Sequence, residues 1–260
     1  MSTTISLAGR LPELADLVGA LANADLRVEE NESGVHRFHL DGRSTRVTEV
    51  TVAETFDVRM FSLAAPEDVE LAVRIAECAA RIMGLREANA EGAGVIPIGE
   101  LRDVYDARWA EDQARSGVRV VRALIEQGRG PIQMPGPVRP FCVGPRVLAE
   151  VAGEDEHVRM LAAIRAVQWL RVRSAGVFVA GDEETRLAIW LGDEIVFPPV
   201  AYAAVSREPE VVLVKAEHVR ELAGSHWRPL DEVQGHITPF TETEWAAVLE
   251  AARAFATTME

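Results

Sequence analysis

Residues Gly128–Arg146 read GRGPIQMPGPVRPFCVGPR. The stretch holds five of the thirteen prolines and four of the nineteen glycines. Proline removes backbone donors and glycine widens the backbone choices, so neither a long helix nor a central strand can form here. Ile132, Met134, Val138, Phe141, Cys142 and Val143 nonetheless want burial, which separates the stretch from a disordered linker. The expectation is an ordered crossing segment that joins two halves and packs against both.

Working outward, residues 1–94 are expected to form one α+β half. Thr3–Ala8 reads as a strand. Leu11–Ala22 carries Leu14, Leu17, Val18 and Leu21 at helical spacing, with Pro12 in the first turn. Leu26–Glu30 and Val35–Leu40 flank Asn31-Glu32-Ser33-Gly34, a hairpin signal. Val47–Ala53 and Phe56–Leu63 alternate apolar and polar residues. Pro66-Glu67-Asp68 opens a helix, with acids near its positive end. Its buried stripe is Leu71, Ile75, Cys78 and Ile82, which makes Cys78 a small core hydrophobe. Arg86–Gly94 reads as a loop.

Residues 95–146 are expected to be a connecting helix, Glu100–Gln127, broken at Gly117, followed by the crossing segment. Residues 147–260 form the second half. Val147–Val172 reads as helix interrupted near Gly153, with Met160, Leu161, Ile164, Val167 and Leu170 buried. Strands follow at Val177–Ala180, Arg186–Leu191, Ile195–Phe197, Tyr202–Val205 and Val211–Val214, with Gly192-Asp193 as a tight turn between two of them. Glu217–Leu222 is a short helix. Thr241-Glu242-Thr243-Glu244 is a capping box, and Phe240 with Trp245 forms a hydrophobic staple, so a helix runs from Glu242 to about Ala256. The expected fold class is α+β: two small antiparallel sheets, helices packed on them, and the Pro/Gly-rich segment between.

The chain of 260 residues carries a formal charge of −14, from 41 acids against 27 bases. Nucleic acid demands a basic surface, so it is not an expected partner. Acidic charge favours solubility, repels anionic membranes and can steer a basic protein partner. No membrane-spanning run and no signal peptide is visible, and the chain reads as cytoplasmic. Lys215, the sole lysine, reads as a solvated strand end rather than a Schiff-base site.

No phosphate-cradling loop, dinucleotide fingerprint, nucleophile elbow, zinc signature or paired CxxC is present. No cofactor and no metal is expected, and no catalytic residue is assigned. His36 and His39 lie three apart on a strand and so face opposite ways. His218 and Glu221 have a ligand spacing on a helix but lack a third partner. His226, Trp227 and His236 read as loop residues. Glu183-Glu184 and Asp193-Glu194 read as solvated hairpin tips. Cys142 is the one tempting nucleophile, but its apolar neighbours raise a buried thiol's pKa. Arg139 and Arg146, stiffened by prolines, are placed to bind carboxylate or phosphate, or else to bridge the two halves to acids such as Glu150 or Asp155. Arg139, Cys142 and Arg146 are therefore the candidate ligand-binding residues.

Arg139-Pro140-Phe141 and Gly144-Pro145-Arg146 make an R-P-F-x-x-G-P-R segment that resembles one carried by uncharacterised bacterial proteins. The Pro198-Pro199 step and the T-x-x-E-W start of the last helix are in keeping with it. The general build is similar to that of immunity proteins of polymorphic toxin systems: acidic, α+β and without a catalytic motif. That likeness implies a non-enzymatic protein whose acidic surface captures a basic protein. The alternative is a ligand-binding protein or enzyme with a pocket between the halves near Arg139, Cys142 and Arg146.

Overall fold

The computed structural model describes residues 2–9, 13–30, 34–179 and 185–259. The chain divides into two compact units, Met1–Trp169 and Leu170–Glu260.

The first unit is built on one seven-stranded sheet. Its strands are β1 (Ser2–Ala8), β2 (Leu26–Glu30), β3 (His36–Leu40), β4 (Thr48–Val52), β5 (Thr55–Phe61), β6 (Glu87–Ala90) and β7 (Gly94–Pro97). They lie in the order β2-β3-β4-β5-β1-β6-β7, and every neighbouring pair is antiparallel. The pairing of β1 with β5 sets Ile5 opposite Val58 and Leu7 opposite Phe56. All four are fully buried. Because the strand period is two, this register fixes one buried face across the sheet centre. Helices α1 (Leu14–Leu21) and α2 (Pro66–Met83) contribute Leu17, Leu21, Ile75 and Ala76 to the same core. Cys78 belongs to that core as well. Each such aliphatic side chain stabilises the fold by about 1.5–3 kcal/mol through burial.

The unit continues with α3 (Leu101–Val104), α4 (Ala107–Glu126), β8 (Ile132–Met134), β9 (Phe141–Val143), α5 (Pro145–Val151) and α6 (Glu156–Gln168). Strands β8 and β9 pair with each other alone. Helix α6 packs on α4, with Arg122 Nη2 2.6 Å from Glu156 Oε2. It also ties back to the seven-stranded sheet: Arg165 Nε donates to the Arg43 carbonyl (3.0 Å), and Trp169 Nε1 to the Ser44 carbonyl (2.9 Å).

The second unit holds β10 (Val177–Val179), β11 (Arg186–Trp190), β12 (Ile195–Phe197), β13 (Tyr202–Arg207), β14 (Glu210–Lys215), α7 (Val219–Ala223), β15 (Trp227–Pro229), β16 (Gly235–Ile237) and α8 (Glu242–Arg253). Two sheets result, β10-β11-β13-β14 and β12-β16-β15. Trp190, Val205, Val214, Trp245 and Leu249 form its separate core.

The α+β class holds, but the sheet description needs correcting. There are four sheets among the described residues, one of seven strands, rather than two small ones. Nor are all antiparallel, since β11 and β13 run parallel. Parallel neighbours need a crossover, and here β12 supplies it from the other sheet. The Gly192-Asp193 turn is where the chain changes sheets, so the strands it links do not pair. Residues 86–94 contain β6 and the turn of a hairpin, not a plain loop. The buried positions of β6 are Ala88 and Ala90, too weakly apolar to make the alternation legible. The 100–127 helix breaks at Tyr105-Asp106, where Asp106 caps α4 by accepting the Trp109 N–H at 2.7 Å. Gly117 lies inside α4, because a Cβ there would stand 3.1 Å from the Leu63 side chain. Trp227 and His236 lie on paired strands, not in loops.

The segment Gly128–Arg146 is ordered and packed, as its composition demands, but it lies wholly inside the first unit. The observed division follows Trp169, whereas residue 147 was the expected start of the second half. Of the expected buried stripe, Met160, Ile164 and Val167 are buried, whereas Leu161 and Leu170 are only half-buried; a stripe does not say which neighbour covers it. The Pro12 helix start, the Asn31–Ser33 hairpin tip, Ala180 and the Glu183-Glu184 pair lie outside the described residues.

Candidate anion-binding pocket

Asp68, the third residue of α2, is buried. Its Oδ2 accepts the N–H groups of Thr45 (3.0 Å), Arg46 (3.1 Å) and Ala65 (2.9 Å) and the Thr45 hydroxyl (2.8 Å). The Ala65 bond is the helix-capping one. The others fasten the β3–β4 connection onto the start of α2. Burial pushes the Asp68 carboxyl up, opposed by hydrogen bonds from Ser44, Thr45 and backbone N–H groups. With Arg165 and Trp169 holding the carbonyls of Arg43 and Ser44, residues 43–46 are fixed from two sides.

That clamp dictates where Arg46 goes. Its side chain is carried inward and is 5% exposed. The guanidinium carbon lies 5.2 Å from the Phe61 ring centroid, and Arg59 lies 4.9 Å from the same ring. Arg59 and Phe61 alternate along β5 with the core residues Val58 and Met60, and so face the other side of the sheet. Among the described residues the Arg46 side chain makes no hydrogen bond or ion pair, and its Nε is buried without a partner. Burial lowers the Arg46 pKa to about 10, with Asp68 and Glu49 opposing the shift. The guanidinium therefore remains charged at neutral pH.

A cavity of about 270 Å³ opens beside it. Arg46, Arg59 and Phe61 form one wall, Val120, Val121 and Leu124 of α4 a second, and Ile132–Pro135 a third. Arg59 is half exposed and 3.7 Å from Glu49, which also lies 3.4 Å from Arg37. One carboxylate is thus shared by two guanidiniums, and Arg46 has none.

The bland reading is that stacking on Phe61 is partner enough. A cation–π contact contributes about 0.5–2 kcal/mol. Removing a guanidinium from water costs several kcal/mol even after relaxation. Stacking alone does not offset that desolvation, and the carboxylates of Asp68 and Glu49 contribute only through longer-range attraction. A guanidinium fork receives carboxylate or phosphate oxygens in pairs.

None of the sequence-derived candidates lines this cavity. Arg139 is buried. Its N–H donates to Gln168 Oε1 (3.1 Å) and its carbonyl accepts from Gln168 Nε2 (2.8 Å). Gly136 is required there, since a Cβ would stand 2.4 Å from Gln168 Nε2. Burial lowers the Arg139 pKa. Cys142 is buried in β9, opposite Gln133. Arg146 pairs with Glu150 at 2.5 Å, one turn along α5, which is a contact within one helix of the first unit and not a bridge between halves. The cavity instead uses the earlier part of the same segment.

Four of the six histidines are held by contacts within the fold, while His157, 3.3 Å from Glu111, lines a separate cavity. His39 is buried beside Trp169, and that burial lowers its pKa. His218 stacks on Phe255 and His226 on Phe240, while His236 Nε2 lies 2.9 Å from Glu194. Asp193 pairs with Arg173. Lys215 is exposed at the end of β14. Among the described residues no group of three His, Cys, Asp or Glu could hold a metal ion, and no helix is long and apolar enough to cross a membrane.

Sequence reasoning missed Arg46, Arg59 and Phe61. Ser44-Thr45-Arg46 reads as a polar connection between strands, and nothing local marks its arginine as buried. Asp68 was visible, but only as an acid near a helix start. Comparison with protein-family models, with curated proteins and with solved structures returns no match.

Proposed function

We propose that the protein is a non-enzymatic binding protein that holds a small anionic molecule in the Arg46 pocket. The observation that carries this reading is the buried Arg46 guanidinium, charged and without an anion, facing a cavity. Among the described residues the lining offers no histidine, carboxylate or thiol, which supports capture rather than acid–base or thiol chemistry. Thermal unfolding with a panel of carboxylates and phosphates tests it. A ligand at about a hundred times its Kd stabilises the fold by about 2.7 kcal/mol, and Arg46→Gln should abolish the response. An equal response in the variant would refute the assignment.

A second reading has its own support in the net charge of −14. In it an acidic surface captures a basic protein, as the likeness to immunity proteins implies. Steering of that kind speeds association at low ionic strength. The association rate with a captured partner should fall as salt rises, and a salt-independent rate would count against it.

A further inference from the structure

The shape and charge of the cavity narrow the ligand further, on the premise that it takes an anion at all. The cavity volume is about 270 Å³. That is below the usual range for drug-sized ligands, about 300–1,000 Å³. The occupant is small.

Its charge is set by what waits at depth. Arg46 supplies one positive charge with no direct ion-pair partner among the described residues, Asp68 and Glu49 acting on it only at longer range. Arg59 stands half exposed and already shares Glu49. A dianion would bring a second buried charge with no second buried partner, at a cost of several kcal/mol. Phosphate sites also gather backbone N–H donors from helix starts or glycine loops. This cavity is walled by the interior of α4, not its start, and its one glycine, Gly117, is mid-helix. A single planar guanidinium lying over Phe61 matches the two oxygens of one carboxylate. Beyond that head the walls are mostly apolar, with Leu63, Val120, Val121, Leu124, Ile132 and Met134 outnumbering the polar Ser62 and Gln133. A tail in contact with them gains about 0.8 kcal/mol for each methylene buried.

We propose that the pocket binds a small monocarboxylate with an apolar chain, its carboxylate on Arg46 and its chain between α4 and β8. Calorimetric titration of the full-length protein with hexanoate, acetate, hexanol, hexyl phosphate and inorganic phosphate tests this. Hexanoate should bind at least tenfold more tightly than each of the others. Arg46→Gln should weaken hexanoate at least tenfold, and Leu124→Asn should weaken hexanoate while leaving acetate unchanged. The ligand series on the unaltered protein decides the matter even if a variant folds poorly. Tighter binding of either phosphate than of hexanoate would overturn the monocarboxylate assignment and leave the anion pocket standing. Equal binding of hexanol and hexanoate would overturn both, as would failure of every anion to bind.

Discussion

A single oxygen of Asp68 accepts four hydrogen bonds, and Arg46 follows from it. Without that carboxylate, the buried N–H groups of Thr45 and Arg46 would lose their acceptor, while the Ala65 N–H would keep Thr45 Oγ1 and the Thr45 hydroxyl the Leu63 carbonyl. An unsatisfied buried donor costs about 1–3 kcal/mol. Asp68→Ala should therefore destabilise the first unit by about 3 kcal/mol or more, measured by chemical denaturation. A loss below about 1 kcal/mol would mean the connection is held elsewhere. Arg46 should behave in the opposite way. Methionine keeps the unbranched stem and removes the buried charge that lacks a direct ion-pair partner among the described residues. Arg46→Met should raise stability by about 1 kcal/mol or more in the absence of ligand while removing anion binding. A less stable variant would show that the charge is satisfied in the fold. Neither role was legible in the sequence. Cys78 was, because an apolar stripe at helical spacing announces its own burial. The burial of an arginine is decided by residues distant in the chain, here Asp68, Phe61 and α4, and no local pattern reports it.

Among the elements, α8 was the most legible, because its start is written in four consecutive residues. Thr241 Oγ1 accepts the Glu244 N–H at 3.3 Å, and Glu244 Oε2 accepts the Thr241 N–H at 2.8 Å. The Phe240 and Trp245 rings stand 5.6 Å apart, as the staple requires. Thr241→Ala should cost about 1 kcal/mol. Hydrogen bonds from Thr241 hold the Glu244 carboxyl below the usual glutamate value. A depressed carboxylate stabilises the fold above its unfolded pKa, and that contribution is lost as pH falls through the folded value. Stability should therefore drop as pH goes below about 4.5, the ordinary glutamate range, and the drop should be shallower in Glu244→Gln. Identical acid limbs for the two proteins would refute the cap's role. Gly192 was read as a turn glycine, and it has a second reason to be one. Its φ is +82°, and a Cβ would stand 2.6 Å from the Trp245 ring. Gly192→Ala should cost about 3 kcal/mol, judged by the unfolding midpoint. The hairpin of β6 and β7 and the strands β15 and β16 went unread for a shared reason. They are three or four residues long, and glycine, alanine and proline occupy so many positions that no period-two signal survives.

For the whole molecule, the class of secondary structure was legible and the grouping of elements was not. The first core draws on residues between Ile5 and Ala110, and the second on residues between Ala175 and Ala252. The crossing segment looked like a junction because prolines and glycines punctuate chains. Most of its apolar residues instead pack into the first unit, although Val138 stays exposed, and four of its residues help wall the cavity. Residues 170–260 expressed alone should unfold cooperatively, with a near-ultraviolet signal from Trp190 and Trp245. A fragment lacking that signal would show that the second core depends on the first unit. The central claim, that Arg46 is a buried charge prepared for an external anion, is most directly tested by the Nε–Hε resonances of arginine in the intact protein. Arg46→Lys identifies the signal by its loss. Adding hexanoate should shift that resonance and slow its exchange with water, with the other arginines outside the pocket unmoved. An Arg46 signal indifferent to every carboxylate and phosphate at saturating concentration would contradict the account.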